Sequence, residues 1–346
     1  MTEPSDILTD SASMASIADQ WRELAAGISN SSYFITPDWV TSWYDVFGHS
    51  QKVEVAVWRA ANGTVEAVVP LVQEVHRIHR LLPLGARCPT NMASGFGAAD
   101  HCGWPVVPSR RDDVRRWLAD RSRAGLLLRN LDPDTGLWSV PEDARRLQRT
   151  PCPRLRLSGD AGSIGSTKFR KKLRWYTRKV ASAGITFRWV PAGQVTAGLL
   201  DDLLRLHHAR ANAIDRASSF TDRRREFHEL LIKRSTAGCG PSLVLASRDD
   251  QIVAALYGFQ WNSTFAYYQT GWDPAYAQLS LGTVLVAEAI KVAASNGIEV
   301  FDFLRGAEDY KYRFGATDRY DETWLVPRAV GGRLLNIRHR LVSRVQ

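Results

Sequence analysis

Apolar residues follow two different periods along this chain, and the change between them predicts where helices and strands lie. Two apolar runs, 53–59 and 64–73, flank the dipeptide Asn62-Gly63, which is a strong local signal of a β-hairpin. Thr36 stands directly before Pro37, a pair typical of a helix start. The other elements predicted in the first half are helices at 16–26 and 110–121 and strands at 125–130 and 154–157. The first half is therefore predicted to be α+β.

The second half begins with a predicted helix whose apolar residues form one stripe. Ser166 can cap this helix and Gly184 can end it. The apolar positions recur at spacings of 4, 3 and 4 residues, at Phe169, Leu173, Tyr176 and Val180. The elements predicted after it are strand 186–190, helices 196–214 and 222–236, strands 242–247, 252–261 and 264–271, helix 280–296, and strands 299–303 and 323–326. Three short strands joined by tight turns predict an antiparallel meander.

A stretch rich in glycine and serine, 158–165, separates the two halves and predicts a linker. The length of 346 residues also corresponds to about two domains of ordinary size. We therefore predict a disordered start over 1–15, an N-terminal domain over 16–157, and a C-terminal domain over 166–346 that ends in a basic helix.

The composition is that of a globular protein, with 45% hydrophobic and 23% charged residues. No stretch approaches the roughly 18 apolar residues of a membrane span, and residues 1–15 lack the features of a secretory signal. We therefore expect a cytoplasmic location. The four cysteines include no C-x-x-C pair, so neither a disulfide framework nor a metal site is predicted.

The formal net charge of +9 is concentrated in two segments that contain no acidic residue. The basic residues of the first segment are Lys168, Arg170, Lys171, Lys172, Arg174, Arg178 and Lys179. Those of the C-terminal tail are Arg328, Arg333, Arg338, Arg340 and Arg344. Such positive fields attract polyanions, including coenzyme phosphates, tRNA and an acidic membrane surface. A solvated charged face is the alternative interpretation.

The predicted helix start at 280–283 is a candidate anion site. A helix N-terminus presents N–H groups without partners and the positive end of the helix dipole, which suits a pyrophosphate. Gly282 would let a phosphate approach the backbone. A simple helix cap at Ser280 is the alternative interpretation.

A second candidate site follows the predicted strand 299–303, where ionisable side chains become frequent. Asp302 lies between two phenylalanines on a strand predicted to be central, so it should be partly buried and needs a partner. Arg305 or Lys311 could supply one, and a structural ion pair is the alternative to a functional role. Tyr310 and Lys311 are candidates for chemistry, because a phenol or an ammonium can protonate or stabilise the charge that develops in acyl transfer.

Other positions are candidates for substrate binding. Asp100 and His101 lie in a loop-like segment, 88–108, where a turn with local hydrogen bonds is the alternative interpretation. His207, on the predicted helix 196–214, is either a structural histidine or a general base. Arg210, on the same helix, is suited to a phosphate or carboxylate of an acceptor.

Several short motifs together carry a family resemblance. The most specific is Phe301-Asp302-Phe303-Leu304-Arg305-Gly306, followed by Tyr310-Lys311 and Phe314-Gly315. The other matching segments are Leu206-His207-His208, 255–259, 268–273, Ser280-Leu281-Gly282, 168–184, 34–48, Asn62-Gly63 and Pro70-Leu71, so that nearly the whole chain is covered. With these motifs the chain resembles the CelD-like acetyltransferases, which are GNAT-fold relatives of the Fem-type aminoacyltransferases that build peptidoglycan bridges.

The resemblance implies two GNAT-like domains in tandem, each a mixed, mostly antiparallel sheet flanked by helices, with the acyl donor in the second. In that fold two neighbouring strands part, and the pantetheine arm of the donor pairs with the exposed edge of one. The implied cofactor-binding residues are Tyr268, Gln269, Thr270 and Gly271 for the pantetheine, and Ser280, Leu281, Gly282 and Thr283 for the pyrophosphate of acetyl-CoA or another acyl-CoA.

The resemblance also implies direct attack of an amine on the thioester, with Tyr310 and Lys311 stabilising the oxyanion. By comparison with the Fem-type relatives, Lys311 is the position expected to stabilise charge. Asp302 completes the predicted catalytic set. The predicted substrate-binding set is Asp100, His101, His207, Arg210 and Arg305.

These observations predict an acyl-CoA-dependent N-acyltransferase, an acetyltransferase, without a metal. Its acceptor would be a small-molecule, glycan-linked or lipid-linked amine, such as an amino sugar, a cell-envelope or polysaccharide precursor, or a secondary metabolite. Two departures from the family pattern keep alternatives open. Leu281 stands where a proline is expected, and the Gln/Arg-x-x-Gly-x-Gly/Ala phosphate loop of ordinary GNAT enzymes is absent. The alternatives are an aminoacyl-tRNA-dependent Fem-type transferase that binds tRNA through 168–179, and a non-catalytic protein whose basic tail binds anionic lipid or nucleic acid.

Overall fold

The computed structural model describes residues 3–77, 85–95, 99–157, 164–213 and 221–342. The chain forms two compact units, the first made of Met1–Thr150 with Tyr320–Gln346 and the second of Pro151–Arg319. The C-terminal residues from Tyr320 onward therefore belong to the first unit, whereas the sequence predicted that they end the second. Of the predicted linker, residues 158–163 lie outside the described part of the chain.

The first unit contains one sheet and helices that flank it. Its strands are β1 (Asp6–Leu8), β2 (Val53–Arg59), β3 (Val65–Arg77), β4 (Gly85–Asn91), β5 (Leu126–Leu131) and, from Tyr320 onward, β12 (Thr317–Val326). Its helices are α1 (Ser11–Ala15), α2 (Ala18–Gly27), α3 (Pro37–Trp43), α4 (Arg111–Arg121) and α10 (Ala329–Val342). The strands lie in this order, and all neighbours pair antiparallel except β4 and β5, which pair in parallel at Thr90 and Leu127.

Several predicted elements of the first unit are confirmed. β2 and β3 form the hairpin around Asn62-Gly63, where Gly63 has a φ of +86° that suits glycine. Thr36 caps α3, and its Oγ1 accepts a hydrogen bond from the backbone N–H of Trp39 at 3.4 Å. The basic C-terminal helix is α10.

Two predictions for the first unit are corrected by the structure. Within 1–15, predicted to be disordered, β1 pairs with β2, and Asp10 caps α1 by accepting the backbone N–H of Ser13 at 2.8 Å. The segment 88–108, predicted to be loop-like, begins with the second half of β4. In both places backbone pairing with a neighbouring strand stabilises a segment whose side chains carry little periodic signal.

The second unit has the order of helices and strands that the sequence predicted, including the antiparallel meander. Its strands are the end of β6 (Arg145–Arg156), β7 (Thr186–Val190), β8 (Gly240–Arg248), β9 (Gln251–Trp261), β10 (Thr264–Trp272) and β11 (Val300–Asp302). Its helices are α5 (Thr167–Ser182), α6 (Ala197–Ala213), α7 (Asp222–Arg234), α8 (Leu281–Ser295) and α9 (Asp309–Arg313). The sheet order is β6, β11, β10, β9, β8, β7, with only β10 and β11 parallel among these neighbours. The predicted α+β class with mostly antiparallel sheets is confirmed.

The core of the second unit lies between its sheet and α8. Residues of the strands, including Leu256, Phe265 and Phe301, pack against Val284 and Ile290 of α8. The predicted apolar stripe of α5 packs against the edge of the same core, and the remaining surface of α5 faces solvent. Within the described ranges, no helix is both long enough and apolar enough to cross a bilayer.

Candidate functional site

Strands β10 and β11 run together over a short distance and then part. Their parallel pairing extends from Thr264 and Val300 to Ala266 and Asp302, where β11 ends. β10 continues to Trp272 after a shift in its register with β9. Beyond Ala266, therefore, β10 has β9 on one side and an edge on the other.

Thr270 directs its backbone toward this edge. A strand residue points its N–H and C=O to the same side. The N–H of Thr270 donates to Oε1 of Gln269 at 3.3 Å. Its carbonyl oxygen lies 3.3 Å from Nδ1 of His207 and accepts from Nη1 of Arg210 at 3.5 Å. The edge thus offers a donor and an acceptor that are held by side chains, which an extended ligand with amide groups can replace.

Two tyrosines lie where the strands part. Tyr267 belongs to β10 and Tyr310 to α9, and their hydroxyl groups lie close enough for each to shift the pKa of the other. Burial raises the pKa of both phenols, so both stay protonated near about pH 7 and can donate a hydrogen bond. Tyr310 is the less buried of the two. The hydroxyl of Tyr310 is therefore more accessible to a ligand than that of Tyr267.

His207 is oriented by the same edge of β10. A carbonyl oxygen only accepts hydrogen bonds, so the contact with Thr270 places the ring proton on Nδ1 and the basic lone pair on Nε2. Burial lowers the pKa of His207, which favours the neutral imidazole. Gly271 permits this arrangement, because a Cβ atom there would overlap the backbone nitrogen of His207. His207 therefore has the protonation state of a general base.

Lys311 has a different environment from the one that the sequence suggested. Its side chain is only 3% exposed, and its ammonium donates to the carbonyl oxygens of Leu304 (3.2 Å), Arg305 (2.8 Å) and Gly306 (3.0 Å). It also forms an ion pair with Glu308 at 2.8 Å. Because an ammonium has three N–H donors, the three carbonyl oxygens of this turn can engage all the donors of Lys311. Lys311 holds the turn that follows β11.

Asp302 supports the same turn. Its Oδ1 accepts the backbone N–H of Leu304 at 2.7 Å, and the side chain is buried. Leu304 has a φ of +57°, in the left-handed region that disfavours residues with a Cβ atom. Asp302 accepts a hydrogen bond from Leu304, and Lys311 donates one to the carbonyl oxygen of Leu304. These two bonds therefore hold a backbone conformation that leucine would not adopt on its own.

The start of α8 lies beside the basic helix α5. The hydroxyl of Tyr176 faces Lys172 and Ser280, and its interactions with these two residues lower its pKa. Lys179 donates to the carbonyl oxygen of Gln278 at 3.0 Å. Ser280 has a φ of +55° and its side chain makes no capping bond to α8. The alternative interpretation of Ser280 as a simple side-chain cap is therefore not what the structure has.

The ring of Trp272 packs against Gly282. A Cβ atom at Gly282 would lie 3.3 Å from the ring of Trp272. The guanidinium of Arg210 lies over the same ring, 4.0 Å from its centroid. The space predicted for a phosphate at the Cα of Gly282 is thus partly filled by Trp272, while the first turn of α8 keeps Lys172 and Tyr176 beside it.

Asp100 and His101 belong to the first unit, unlike the other predicted site residues. Both side chains are buried. The backbone N–H of His101 donates to Asp321 at 2.6 Å, its Nδ1 lies 2.8 Å from the same carboxylate, and Asp132 lies 3.9 Å away. His101 is thus part of a buried network with Asp132 and Asp321 within the first unit.

The first unit repeats the β10–α8–β11 arrangement in β4, α4 and β5, but its own chain occupies the equivalent gap. Beyond Thr90 and Leu127, the backbone N–H of Cys102 donates to Asn130, and that of Asp132 donates to Cys102, both at 2.8 Å. The side chain of Asn91 bonds to both the N–H and the C=O of Arg129. The second unit is therefore the one whose parted strands leave an edge for a ligand.

Three residues at these contacts, Tyr267, Tyr176 and Trp272, are not predicted as site residues by the sequence. Tyr176 belongs to the predicted apolar stripe of α5, although Lys172 lies one helical turn before it, a spacing at which side chains meet. For Tyr267, the signal is its position on the strand predicted to bind the donor, and Trp272 directly follows that strand.

The comparisons with known proteins concern the fold and the segment that forms most of the second unit. Residues 167–312 match the family model described as acetyltransferase (GNAT) domain. No curated protein matches the chain. Among solved structures the chain is similar to FemX, with a TM-score of 0.62 and 10% identity over 93% of this chain and 98% of that one.

Two other solved structures are similar over most of their length. One is the C-terminal domain (DUF2156) assigned to a lysylphosphatidylglycerol synthetase of Agrobacterium fabrum, with a TM-score of 0.58 and 10% identity over 95% of this chain and 96% of that one. The other is a tandem GNAT protein from the clavulanic acid biosynthesis pathway, with a TM-score of 0.51 and 13% identity over 92% of this chain and 97% of that one. At these identities the similarity concerns the fold alone. The predicted tandem GNAT-like fold is confirmed, and the second unit contains the segment that matches a GNAT acetyltransferase domain.

Proposed function

We propose that the second unit transfers an acyl group from acyl-CoA to an amine. The observation that carries the proposal is the parting of β10 and β11 beside the two interacting phenols of Tyr267 and Tyr310. It places a backbone edge suited to an extended donor next to a neutral phenol. The match of 167–312 to the acetyltransferase (GNAT) model supports the same reaction class.

The donor would bind along the edge of β10. An amide of the pantetheine arm would take over the N–H of Thr270 from Gln269 and would share the carbonyl of Thr270 with His207, in place of Arg210. The pyrophosphate would lie at the first turn of α8, where Lys172 adds a positive charge to that of the helix N-terminus. Both ends of the donor thus have complementary groups within the second unit.

His207 and Tyr310 would move the two protons of the reaction. His207 accepts a proton from the attacking amine at Nε2, since its lowered pKa keeps this atom unprotonated. The new C–N bond forms as the C–S bond of the thioester breaks. Tyr310 donates its hydroxyl proton to the departing sulfur, and its raised pKa keeps that proton available. The products are an amide and a free thiol.

Lys311 would act on the reaction by positioning. Its ammonium fixes the turn 304–306 and lies one residue after Tyr310 on the short helix α9. It would thereby hold the phenol at the parted strands. The resemblance to the Fem-type relatives implies that Lys311 itself stabilises the charge of the oxyanion. For that role, one of the hydrogen bonds between Lys311 and the turn would have to break.

The acceptor would be a small-molecule, glycan-linked or lipid-linked amine. Arg210 lies at the edge of β10 and Arg305 in the turn after β11, and both favour an acceptor that also carries a phosphate or carboxylate. The resemblance to CelD-like acetyltransferases supports amino sugars and cell-envelope precursors as the first acceptors to test.

The experiment is a turnover assay that follows the thiol product. Acetyl-CoA and longer acyl-CoA esters are incubated with the full chain and a panel of amino sugars and other amines, and thiol release is measured together with the mass of the acylated amine. We expect thiol release that depends on the amine and equals the amide formed. Thiol release without amide formation would contradict transfer and indicate a hydrolase.

A second candidate donor is aminoacyl-tRNA. The specific observations that favour it are the exposed, acid-free helix α5 and the absence of the usual phosphate loop, while FemX supplies a similar fold. Binding of charged tRNA that weakens with salt would support this donor. Binding that is unchanged after the basic residues of 168–179 are neutralised would count against it.

A non-catalytic role of the basic tail is the third candidate. In α10, Val330 is 73% exposed and Ile337 is 52% exposed, although Arg328 is already paired with Asp143 at 2.7 Å. This role predicts vesicle binding by the full chain that is lost when α10 is deleted, with no thiol release in the turnover assay. Amine-dependent turnover would exclude a purely non-catalytic protein.

A further inference from the structure

The outer face of α5 carries a second stripe, on the side opposite its apolar one. Lys171, Arg174, Trp175 and Arg178 follow the spacing i, i+3, i+4, i+7, so they lie along one side of the helix. All four side chains are exposed, and Trp175 is 52% exposed. α5 contains no acidic residue. We call Lys171, Arg174, Trp175 and Arg178 the outer stripe.

The outer stripe is not needed to hold α5 in the fold. The opposite side of the helix packs Phe169, Leu173 and Tyr176 against the core and buries Val180. None of the ion pairs among the described residues engages the three cations of the outer stripe. Among the ring contacts of the described residues, Trp175 contacts only α5, with Nζ of Lys179 5.2 Å from its ring centroid. The outer stripe therefore combines an exposed indole with cations that lack carboxylate partners among the described residues.

We propose that the outer stripe binds the surface of an anionic lipid bilayer. Lysine and arginine are attracted to anionic headgroups, and tryptophan prefers the interface between headgroups and acyl chains. With 16 residues, α5 is about 24 Å long and presents the stripe along one straight face. Such a convex face fits a flat surface, whereas single-stranded nucleic acid is bound in positively charged grooves with stacking platforms.

Binding through the outer stripe would place the second unit at the surface of a bilayer. The flank of α5 that carries Lys172 and Tyr176 remains directed at the start of α8. A lipid-linked amine would reach the enzyme from the same bilayer surface, a consequence that rests on the proposed acyl transfer. The lipid contact itself does not depend on the reaction.

The test is co-sedimentation of the full chain with vesicles. Phosphatidylcholine vesicles are compared with vesicles that also contain phosphatidylglycerol, at low and high salt. The variant Lys171→Gln/Arg174→Gln/Arg178→Gln removes three charges of the outer stripe. The matched control, Arg115→Gln/Arg116→Gln/Arg123→Gln, removes three exposed charges from the first unit. Trp175→Ser changes the stripe without changing its charge.

We expect binding to the anionic vesicles only, weakened by salt, and reduced by at least about tenfold in the stripe variant while the control keeps it. Trp175→Ser should weaken binding severalfold. The proposal is overturned if the wild-type chain does not bind anionic vesicles, if the stripe variant or Trp175→Ser binds like wild type, or if the control loses as much. Tighter binding to a structured RNA than to vesicles, lost in the stripe variant, would assign the face to RNA instead.

Acyl-CoA binding is measured calorimetrically on the same preparations. If the stripe variant still binds acyl-CoA, its chain is folded. A loss of vesicle binding can then be attributed to the outer stripe. Absence of acyl-CoA binding in the wild-type chain would contradict the proposed function alone, because the vesicle measurement stands without it.

Discussion

Among single residues, Tyr310 has the most direct predicted effect on chemistry. Removal of its hydroxyl in Tyr310→Phe should lower kcat by about a hundredfold, because the departing sulfur loses its proton donor. Acyl-CoA affinity should stay close to wild type, since the donor binds along β10. Tyr312→Phe is the matched control, because its hydroxyl bonds to the exposed Asp318. Wild-type turnover in Tyr310→Phe would remove this tyrosine from the reaction.

Lys311 should affect turnover through the turn that it holds. We expect Lys311→Ala to lower kcat by at least about tenfold and to lower the free energy of unfolding by about 1–3 kcal/mol, because the carbonyl oxygens of the turn lose their donor. Lys291→Ala, at an exposed lysine paired with Glu288, is the control. A loss of turnover with unchanged stability and melting temperature would favour direct charge stabilisation instead.

His207 should determine the acid side of the pH profile. Its pKa is lowered from the ordinary value of 6.5, mainly by burial, and the neutral form is the base. As the pH rises, kcat/KM should therefore increase through a midpoint below 6.5, and turnover should remain high above it. His207→Gln should remove this step, while His208→Gln, at the exposed neighbour, should keep it. A midpoint above 6.5, or one unchanged in His207→Gln, would contradict the assignment.

The sequence predicted single site residues better than their environments. The motif around Phe301 and Gly306 drew attention to Tyr310, Lys311 and Asp302, which lie close together in the structure. Their partners could not be predicted, because the carbonyl oxygens that bind Lys311 leave no trace in side-chain identity. The pairing of Tyr310 with Tyr267 joins residues that are distant in sequence, which spacing arguments do not reach.

At the level of elements, the packing of α6 against β10 depends on Gly271. Gly271→Ala should lower the free energy of unfolding by about 1–3 kcal/mol, because the added Cβ would overlap the backbone nitrogen of His207. It should also reduce turnover by displacing that side chain. Gly198→Ala, at an uncrowded position of the same helix, should be neutral or slightly stabilising. Equal denaturation midpoints for the two variants would show that α6 adapts without cost.

Elements with a strong local pattern were predicted from the sequence, and those held by backbone pairing were not. The stripe of α5 and the hairpin of β2 and β3 repeat apolar residues at a clear period. β1 is three residues long and is stabilised by pairing with β2, so it has no period to detect. α9 has five residues and is tied down by Lys311. Both were missed for the same reason.

At the level of the whole molecule, the sequence predicted two units but not how the chain is divided between them. The sequence predicts one domain over 166–346, whereas the segment from Tyr320 onward belongs to the first unit and pairs its strand with β5. A strand pattern in the sequence does not identify the neighbouring strand, so the pairing of β12 with β5 could not be predicted. The repeated order of strand, helix and parallel strand became visible only with the pairing in hand.

The central claim is that an acyl-CoA donor binds along the edge of β10 in the second unit. Its most direct test is calorimetric titration of acetyl-, succinyl- and longer acyl-CoA into the full chain and into Thr270→Pro. Proline removes the N–H that faces the edge, which donates to Oε1 of Gln269 while Thr270 itself stays in register with Leu256 of β9. Thr270→Val keeps that N–H and is the control.

We predict one donor molecule bound per chain, an affinity at least about tenfold lower in Thr270→Pro, and near wild-type affinity in Thr270→Val. Absence of binding for every acyl-CoA, or equal affinity of Thr270→Pro and wild type, would contradict the claim.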